Sequence, residues 1–286
     1  MDWLTQQIAS HKIPIGGWSA RFIDWLTDNF AWFFDAVADS IEYSIEGVTA
    51  LLVLTPPLVL IALVTALVYW LHRSAWLAAS IALMLLFIIN LGFWEETLET
   101  LALIVSAALL CMVAGVPIGI AAAHRSWLYT VLRPVLDLMQ TLPPFVYLIP
   151  TMVLFSIGVV PGLISTVIFA IPAPIRLTYL GISSVPKPLI EAGEAFGATK
   201  RQLLWKVELP YALPTIMAGL TQCIMLSLSM VVIAALVGAD GLGKPVVRAL
   251  GQVKIEMGIE AGLAIVIVAI LLDRICKHPG AKIGGS

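Results

Sequence analysis

About seven apolar runs, each near the length that crosses a bilayer, restrict this chain more than any motif in it. They fall at about 51–71, 75–93, 97–122, 143–160, 162–182, 211–237 and 258–273. A spanning helix needs about 20 apolar residues. Composition closes off the soluble alternative. Hydrophobic residues make up 60% of the 286 positions and charged residues 12%, with a mean hydropathy of +1.00. A soluble domain carries roughly 25% charged residues and has a limited core in which to bury apolar side chains. Lipid offers the backbone no hydrogen-bond partners, so such runs span as helices that satisfy their own N–H and C=O groups. The expected fold class is therefore all-α, a polytopic transmembrane helical bundle of about seven spans.

Local features refine this picture. Trp70, Trp76, Trp94, Trp127, Tyr129, Tyr179 and Tyr211 stand near the expected span ends, where amphipathic rings prefer to lie. Pro56 and Pro57 fall in the first span, Pro117 in the third, and Pro172 and Pro174 in the fifth, while the fourth is proline-rich. Proline frees backbone groups that need other partners, so several such helices suit a bundle bent around a pathway as well as ordinary kinked packing.

Residues 1–50 differ from the rest. Phe22, Leu26, Phe30, Phe33, Val37 and Ile41 recur at helical spacing, and Asp24, Asp28, Asp35, Asp39, Glu42 and Glu46 form a polar face. This is an acidic amphipathic helix, expected to be an extracytoplasmic arm packed on the rest of the protein. A basic helix would seek anionic headgroups; this one should avoid the anionic cytoplasmic leaflet. The first residues, MDWLTQQIAS, lack a basic leader and do not read as a cleavable signal peptide.

Several apparent motifs carry no chemistry. Cys111, Cys223 and Cys276 are isolated, odd in number and without metal-ligand spacing, so they read as small packing residues. The four histidines fall outside the apolar runs and form no HExxH pair. Gly238 to Lys244 matches GxxxxGK, but Pro245 stands where a phosphate-binding loop needs Ser or Thr and no strand precedes it. It reads as a glycine turn after the sixth span, and the chain is expected to have no ATPase of its own. Glu95, Glu96 and Glu99 open the third span, where acids complement a helix N-terminus. Arg133 and Asp137, four apart, suggest a local ion pair. Gly115/Gly119, Gly158/Gly162 and Gly258/Gly262 permit close helix approach.

Charge sets an orientation. With segment 183–210 placed in the cytoplasm, 11 basic residues lie inside: Arg73, Arg125, Arg133, Arg176, Lys187, Lys200, Arg201, Lys206, Arg274, Lys277 and Lys282. Five (Lys12, Arg21, Lys244, Arg248 and Lys254) lie outside, together with 13 of the 18 acids. The positive-inside rule then puts the N-terminus outside and the C-terminus in the cytoplasm. The segments are accordingly an arm (1–50), two first spans (51–93), a core (94–275) and a cytoplasmic tail (276–286).

Segment 183–210, SSVPKPLIEAGEAFGATKRQLLWKVELP, is a polar stretch of 28 residues between two strongly apolar spans. Ser184 is a candidate cap, with Pro186 and Pro188 near a helix start. Leu189–Phe196 should form a short helix ended by Gly197, and Thr199 should cap a second, ended by Pro210. Ala192, Gly193 and Ala195 leave room for another surface.

These residues resemble a family motif. Glu191-Ala192-Gly193, three residues, Gly197, nine residues, Val207, one residue, Leu209-Pro210 is similar to the EAA motif of ABC importer permeases. The departures are Gly193 for Ala and Val207 for Ile. QTLPPFVYLIP (140–150), PGLISTVIFAIPAPIRLTYLGI (161–182) and GADGLGKPVVRALG (238–251) resemble the branch serving glycine betaine, proline betaine and choline, with choline permeases most alike. The resemblance covers about residues 90–275. It implies a type I importer permease fold, a permease homodimer, cytoplasmic ATPase subunits that bind and hydrolyse ATP, an extracytoplasmic solute-binding protein and a bacterial inner-membrane location. It also implies that Glu191, Ala192, Gly193, Gly197, Leu209 and Pro210 couple to the ATPase; no cofactor, metal or catalytic residue is expected in this chain, and no substrate-binding residue is identified.

Two other classes are weighed against this. A secondary transporter would carry ionisable residues at mid-span, and the expected spans have no carboxylate near their centres. An intramembrane enzyme would need a nucleophile with a base, and no histidine or aspartate stands mid-span. The orientation is testable: a reporter active only in the cytoplasm should work when fused after Ser286 and be silent at the N-terminus. The reverse pattern would contradict the topology, and equal signals at both ends would require an even number of spans.

Overall fold

A computed structural model describes residues 14–276, which are helical almost throughout. The signal-peptide expectation and most of the 276–286 tail lie outside the described residues. The helices are α1 (Ile15–Leu54), α2 (Pro57–His72), α3 (Ala75–Leu91), α4 (Trp94–His124), α5 (Ser126–Thr141), α6 (Pro144–Phe155), α7 (Val159–Ala170) and α8 (Pro172–Ser183). Then come α9 (Lys187–Ala195), α10 (Lys200–Leu203), a π turn (Leu204–Glu208), α11 (Leu209–Ala235), α12 (Gly243–Gln252) and α13 (Ile255–Cys276).

Among the described residues, four stretches are long and apolar enough to cross a membrane: Trp94–His124, Val159–Ser183, Lys200–Ala235 and Ile255–Cys276. Two bent pairs, α1 with α2 and α5 with α6, bring the number to six, and the apolar α3 is shorter at 17 residues. Seven is reached only by counting both bent pairs and α3.

Both bends have the same chemical origin. Thr55-Pro56-Pro57 turns the chain by 102° and Leu142-Pro143-Pro144 by 96°. A residue before proline is pushed out of the helical region. Accordingly Thr55 and Pro56 are extended (ψ 124° and 136°), as are Leu142 and Pro143 (ψ 135° and 133°). The second proline of each pair then opens the next helix, where its missing N–H costs nothing. The expected first span over 51–71 thus has no prolines inside it: α1 runs on to Leu54 and α2 begins at Pro57. The expected fourth span, 143–160, ends early at Phe155. At 1.5 Å per residue its 12 residues reach only about 18 Å, short of a ~30 Å hydrocarbon core. Its corner with α5 is fastened by Tyr147, whose hydroxyl donates to the Met139 carbonyl at 2.5 Å.

The main core joins α2, α3, α4, α7, α11 and α13 through residues such as Val68, Ile88, Ile104, Leu228 and Val268. Because lipid tails are as apolar as leucine, helices associate in a bilayer by close packing rather than by burial from water. Small residues provide that closeness around α8. A Cβ on Gly119 would meet the Ile175 carbonyl and Thr178 at 2.7 Å, and one on Gly115 would touch Pro174 at 3.1 Å, so α4 lies against α8. On its other side Gly181 meets Ala212 and Gly219 meets Leu177 of the α8–α11 contact. The other expected pairs behave differently: Gly162 packs on Ala234 and Ala239, whereas Gly158 and Gly262 have no neighbour within 4 Å of an added Cβ.

Gly119→Ala should therefore force α4 and α8 apart and destabilise the bundle by about 1–3 kcal/mol, the usual range for overpacking. Gly262→Ala should be neutral or slightly stabilising. Thermal unfolding of the two purified variants in detergent checks this, with equal melting temperatures as the contrary result.

Candidate functional site

Segment 183–210 folds as two short helices joined by a tight turn. The first, α9, starts behind Pro186 and has no side-chain cap. Ser184 does not cap it; its hydroxyl donates instead to the Gly181 carbonyl at 2.9 Å, closing α8. Gly197 ends α9 with a φ of +77°, a left-handed conformation that costs L-residues with a Cβ. Two hydrogen bonds lock the turn. The Gly197 N–H donates to Glu194 O at 2.8 Å and the Ala198 N–H to Gly193 O at 3.0 Å, the paired bonds of a Schellman C-cap.

The second helix opens with a capping box. The Gln202 N–H donates to Thr199 Oγ1 at 3.3 Å, and the Thr199 N–H donates back to Gln202 Oε1 at 2.8 Å. Pro210 does not end this helix. It runs on from Lys200 to Ala235 as one stretch, with the π turn at Leu204–Glu208 just before the proline. Within that turn the Leu209 N–H bonds Leu204 O, one residue further back than in an α-helix. An uninterrupted α-helix would bring the Pro210 ring against the carbonyl four residues earlier. The wider turn accommodates it, and Leu209-Pro210 becomes the first turn of α11.

The expected site residues separate into three roles by position. Glu191, Ala192 and Gly197 lie on the exposed side of the segment. Gly193 faces inward: an added Cβ would lie 2.5 Å from Leu203 Cδ2, so its small size serves the packing of the second helix on α9 rather than an outside surface. Leu209 and Pro210 belong to the root of α11; Leu209 packs on the small cluster of Ile182, Ala212 and Ile216, whereas Pro210 is exposed.

Two features escaped the sequence reading. First, Phe196 is 93% exposed, Trp205 63% and Leu189 about half, so the polar segment also presents large apolar side chains. Large aromatic side chains in a segment otherwise rich in charge were the available signal. Second, Glu208 is only 8% exposed and its carboxylate accepts a 2.8 Å contact from His124 Nε2 at the end of α4. That pair bridges 84 residues of chain and had no local signature.

Elsewhere Asp137 pairs with Arg176 of α8 at 2.6 Å, not with Arg133 four residues away. The neighbouring Tyr129 and Tyr179 rings stack at 3.5 Å, and both contacts join α5 to α8. The Gly238–Lys244 stretch is a turn between α11 and α12. The Leu242 N–H donates to Thr100 Oγ1 at 2.8 Å, and Lys244 pairs with Asp240 within the turn. An added Cβ on Gly243 would run into the Val231 carbonyl. Glu95 and Glu96 occupy the first turn of α4, where the helix dipole favours acids.

The molecule is a multi-span helical bundle in which the stretch Lys200–Ala235 begins outside its apolar part, in a polar helical hairpin. Comparison with known proteins makes the class specific. The chain belongs to the family described as binding-protein-dependent transport system inner membrane component, whose pattern matches residues 115–277. It is a permease subunit of an ABC importer. The glycine betaine transport system permease protein OpuAB of Bacillus subtilis is 48% identical over 271 residues, covering 95% of this chain and 96% of the relative. The glycine betaine/proline betaine permease protein ProW of Escherichia coli is 43% identical, covering 98% and 82%. Among solved structures, the inward-facing MetNI methionine ABC transporter superposes with a TM-score of 0.56 at 25% identity, covering 62% of this chain and 91% of its counterpart. These likenesses establish the type I importer permease fold. Membership carries with it a place in the membrane and partnership with an ATPase and a solute-binding protein.

Proposed function

We propose that this permease imports a quaternary ammonium osmolyte of the glycine betaine class, and that residues 183–210 receive the movement of a cytoplasmic ATPase. The observation that carries the coupling role is the continuity of the hairpin with α11: a displacement of α10 is passed to a membrane-crossing helix without a joint. The substrate class rests on the two relatives named for glycine betaine transport, each aligned over nearly the whole chain. The assembly is two copies of this chain, two ATPase subunits that hydrolyse the ATP, and an extracytoplasmic binding protein that delivers the solute. The termini follow the charge distribution, N-terminus outside and C-terminus in the cytoplasm. The chain itself contributes the pathway and no catalytic group, cofactor or metal.

In this reading Phe196, Trp205 and Leu189 form the apolar part of the docking surface, and Glu191 adds a charge beside it. Gly197 holds the angle between the two short helices. A contact couples only if it differs between the states of the cycle, so a rigid hairpin on a continuous helix meets the requirement that a flexible loop does not.

Uptake of radiolabelled glycine betaine by cells expressing this chain with its ATPase and binding protein tests the substrate class. The label should be competed by related betaines and not by methionine; uptake of an unrelated solute alone would overturn the assignment. In the same cells Gly197→Ala should strain the turn by about 1 kcal/mol. Gly197→Asp should leave the chain in the membrane while abolishing uptake and weakening co-purification of the ATPase. Glu191→Ala should show a milder loss and Lys244→Ala none. Normal co-purification and uptake with Gly197→Asp would refute the docking role.

A further inference from the structure

Helix α8 is held on two sides and open on a third. Pro174, Ile175 and Thr178 lie against the glycines of α4, and Leu177 and Gly181 lie against α11. At about 100° per residue, Arg176, Tyr179 and Leu180 fall together on the remaining side. Leu180 is 54% exposed there. Helix α5 reaches this side through two contacts. Arg176 Nη2 donates to Asp137 Oδ1 at 2.6 Å, and the Tyr129 and Tyr179 rings lie face to face, 3.5 Å apart and 3° from parallel.

Arg176 stands well inside its span. It precedes the end of the Val159–Ser183 stretch by seven residues, which is about 10 Å at 1.5 Å per residue. A cation at that depth is costly beside lipid and belongs on a wall that water reaches. The ion pair is accordingly open, with 33% of the Arg176 side chain and 54% of the Asp137 side chain exposed. It is also only partly used. A guanidinium has five N–H groups and a carboxylate has two oxygens, and the bond between them takes one of each. The tyrosines have their own spare capacity. Aromatic pairs favour offset or edge-on arrangements, because a full sandwich sets two negative ring faces against each other. A cation against an outer face of the stack offsets that repulsion and gains cation–π attraction.

We infer that the open side of α8 is a solute-contact site on the pathway, where Arg176 takes the carboxylate of a zwitterionic quaternary amine and the Tyr129–Tyr179 stack takes its ammonium group. The inference rests on the substrate class proposed above and narrows it to zwitterions over plain cations. Arg176 and Tyr179 are three residues apart, so their Cβ atoms are neighbours at about 5–6 Å on the helix surface. A betaine likewise carries its two charges close together, on either side of one methylene. The guanidinium fork matches a carboxylate in shape as well as charge. Asp137 is a positioning residue: it holds the guanidinium and balances its charge, so a solute without net charge leaves the site neutral. Because Asp137 keeps its own bond, the solute docks without parting α5 from α8. Choline has no carboxylate and meets the rings alone. In the topology derived from charge, the site lies towards the cytoplasmic end of the bundle, and its few, water-exposed contacts suit brief occupancy before release.

Saturation-transfer NMR on the permease–ATPase complex in phosphatidylethanolamine/phosphatidylglycerol nanodiscs tests this. Nucleotide is omitted, as is the binding protein, which would itself take up solute. Glycine betaine and choline are offered together at equal concentration, and saturation is read at the N-methyl protons of each. With the unaltered chain, glycine betaine should receive several-fold more saturation than choline. Arg176→Gln should abolish that difference. Asp137→Asn breaks the same ion pair but leaves the guanidinium, and it should keep the preference. Tyr179→Leu should lower both signals several-fold. Equal or absent signals with the unaltered chain would overturn the inference. So would Asp137→Asn and Arg176→Gln behaving alike, the result expected of a purely structural ion pair. Co-purification of the ATPase and the melting temperature of each variant show that the bundle is intact. Glycine betaine uptake without saturation transfer would overturn the site and leave the substrate class standing, whereas uptake of an unrelated solute alone would overturn the class itself.

Discussion

The structure depends on how a helix gets past Pro210. A proline in a helix interior lacks the N–H for the preceding turn and crowds the carbonyl four residues back, at a cost of about 3 kcal/mol or more. Here the π turn of Leu204–Glu208 widens the helix at that point, and the chain continues without a break from Lys200 to Ala235. The same turn carries Glu208, whose buried carboxylate meets His124 at 2.8 Å and fixes the root of the hairpin to the end of α4. A loop at this position would let α9 and α10 move without consequence. A continuous helix makes them one body with α11.

What α11 can move is decided by close packing. It lies against α8, which in turn lies against α4, and each contact is permitted by glycine: Gly219 and Gly181 on one side, Gly115 and Gly119 on the other. With no net gain from hiding apolar surface from lipid, these short distances supply the association. They also make the three helices stiff toward one another, since packed interiors rearrange between discrete arrangements rather than deforming smoothly. The Asp137–Arg176 pair and the Tyr129–Tyr179 stack extend the same rigid unit to α5. In the proposed coupling role, a push on the hairpin passes from α11 to α8 and α4, with α5 attached to the same unit.

Much of this was legible in the sequence where the determinant is local. Gly197 as a helix end and Thr199 as a cap follow from residue chemistry, and both have the geometry expected. The same is true of the glycine turn at 238–244, where Pro245 and the absence of a strand already argued against phosphate binding. The failures share a physical cause. Pro210 was expected to end a helix because the rule for proline is local, whereas the π turn that tolerates it is accompanied by a buried contact to a histidine 84 residues away. Asp137 was paired with Arg133 by spacing, but α8 brings Arg176 to it. Ser184 was expected to serve α9 and instead closes α8. The proline pairs at 56–57 and 143–144 were readable as corners by the rule for residues before proline, but apolar runs continuing through them hid the bends. Exposure of Phe196 and Trp205 depends on tertiary packing and could not be read from spacing.

The central claim is that the hairpin and α11 act as one rigid body, and inserting three glycines after Leu209 tests it most directly. The insertion leaves the docking surface intact and breaks only the continuity. In the reconstituted importer with its ATPase and binding protein, the ATPase should still co-purify and hydrolyse ATP, while uptake of glycine betaine falls to background. Uptake at the wild-type rate with the insertion in place would show that movement reaches the membrane helices by another route.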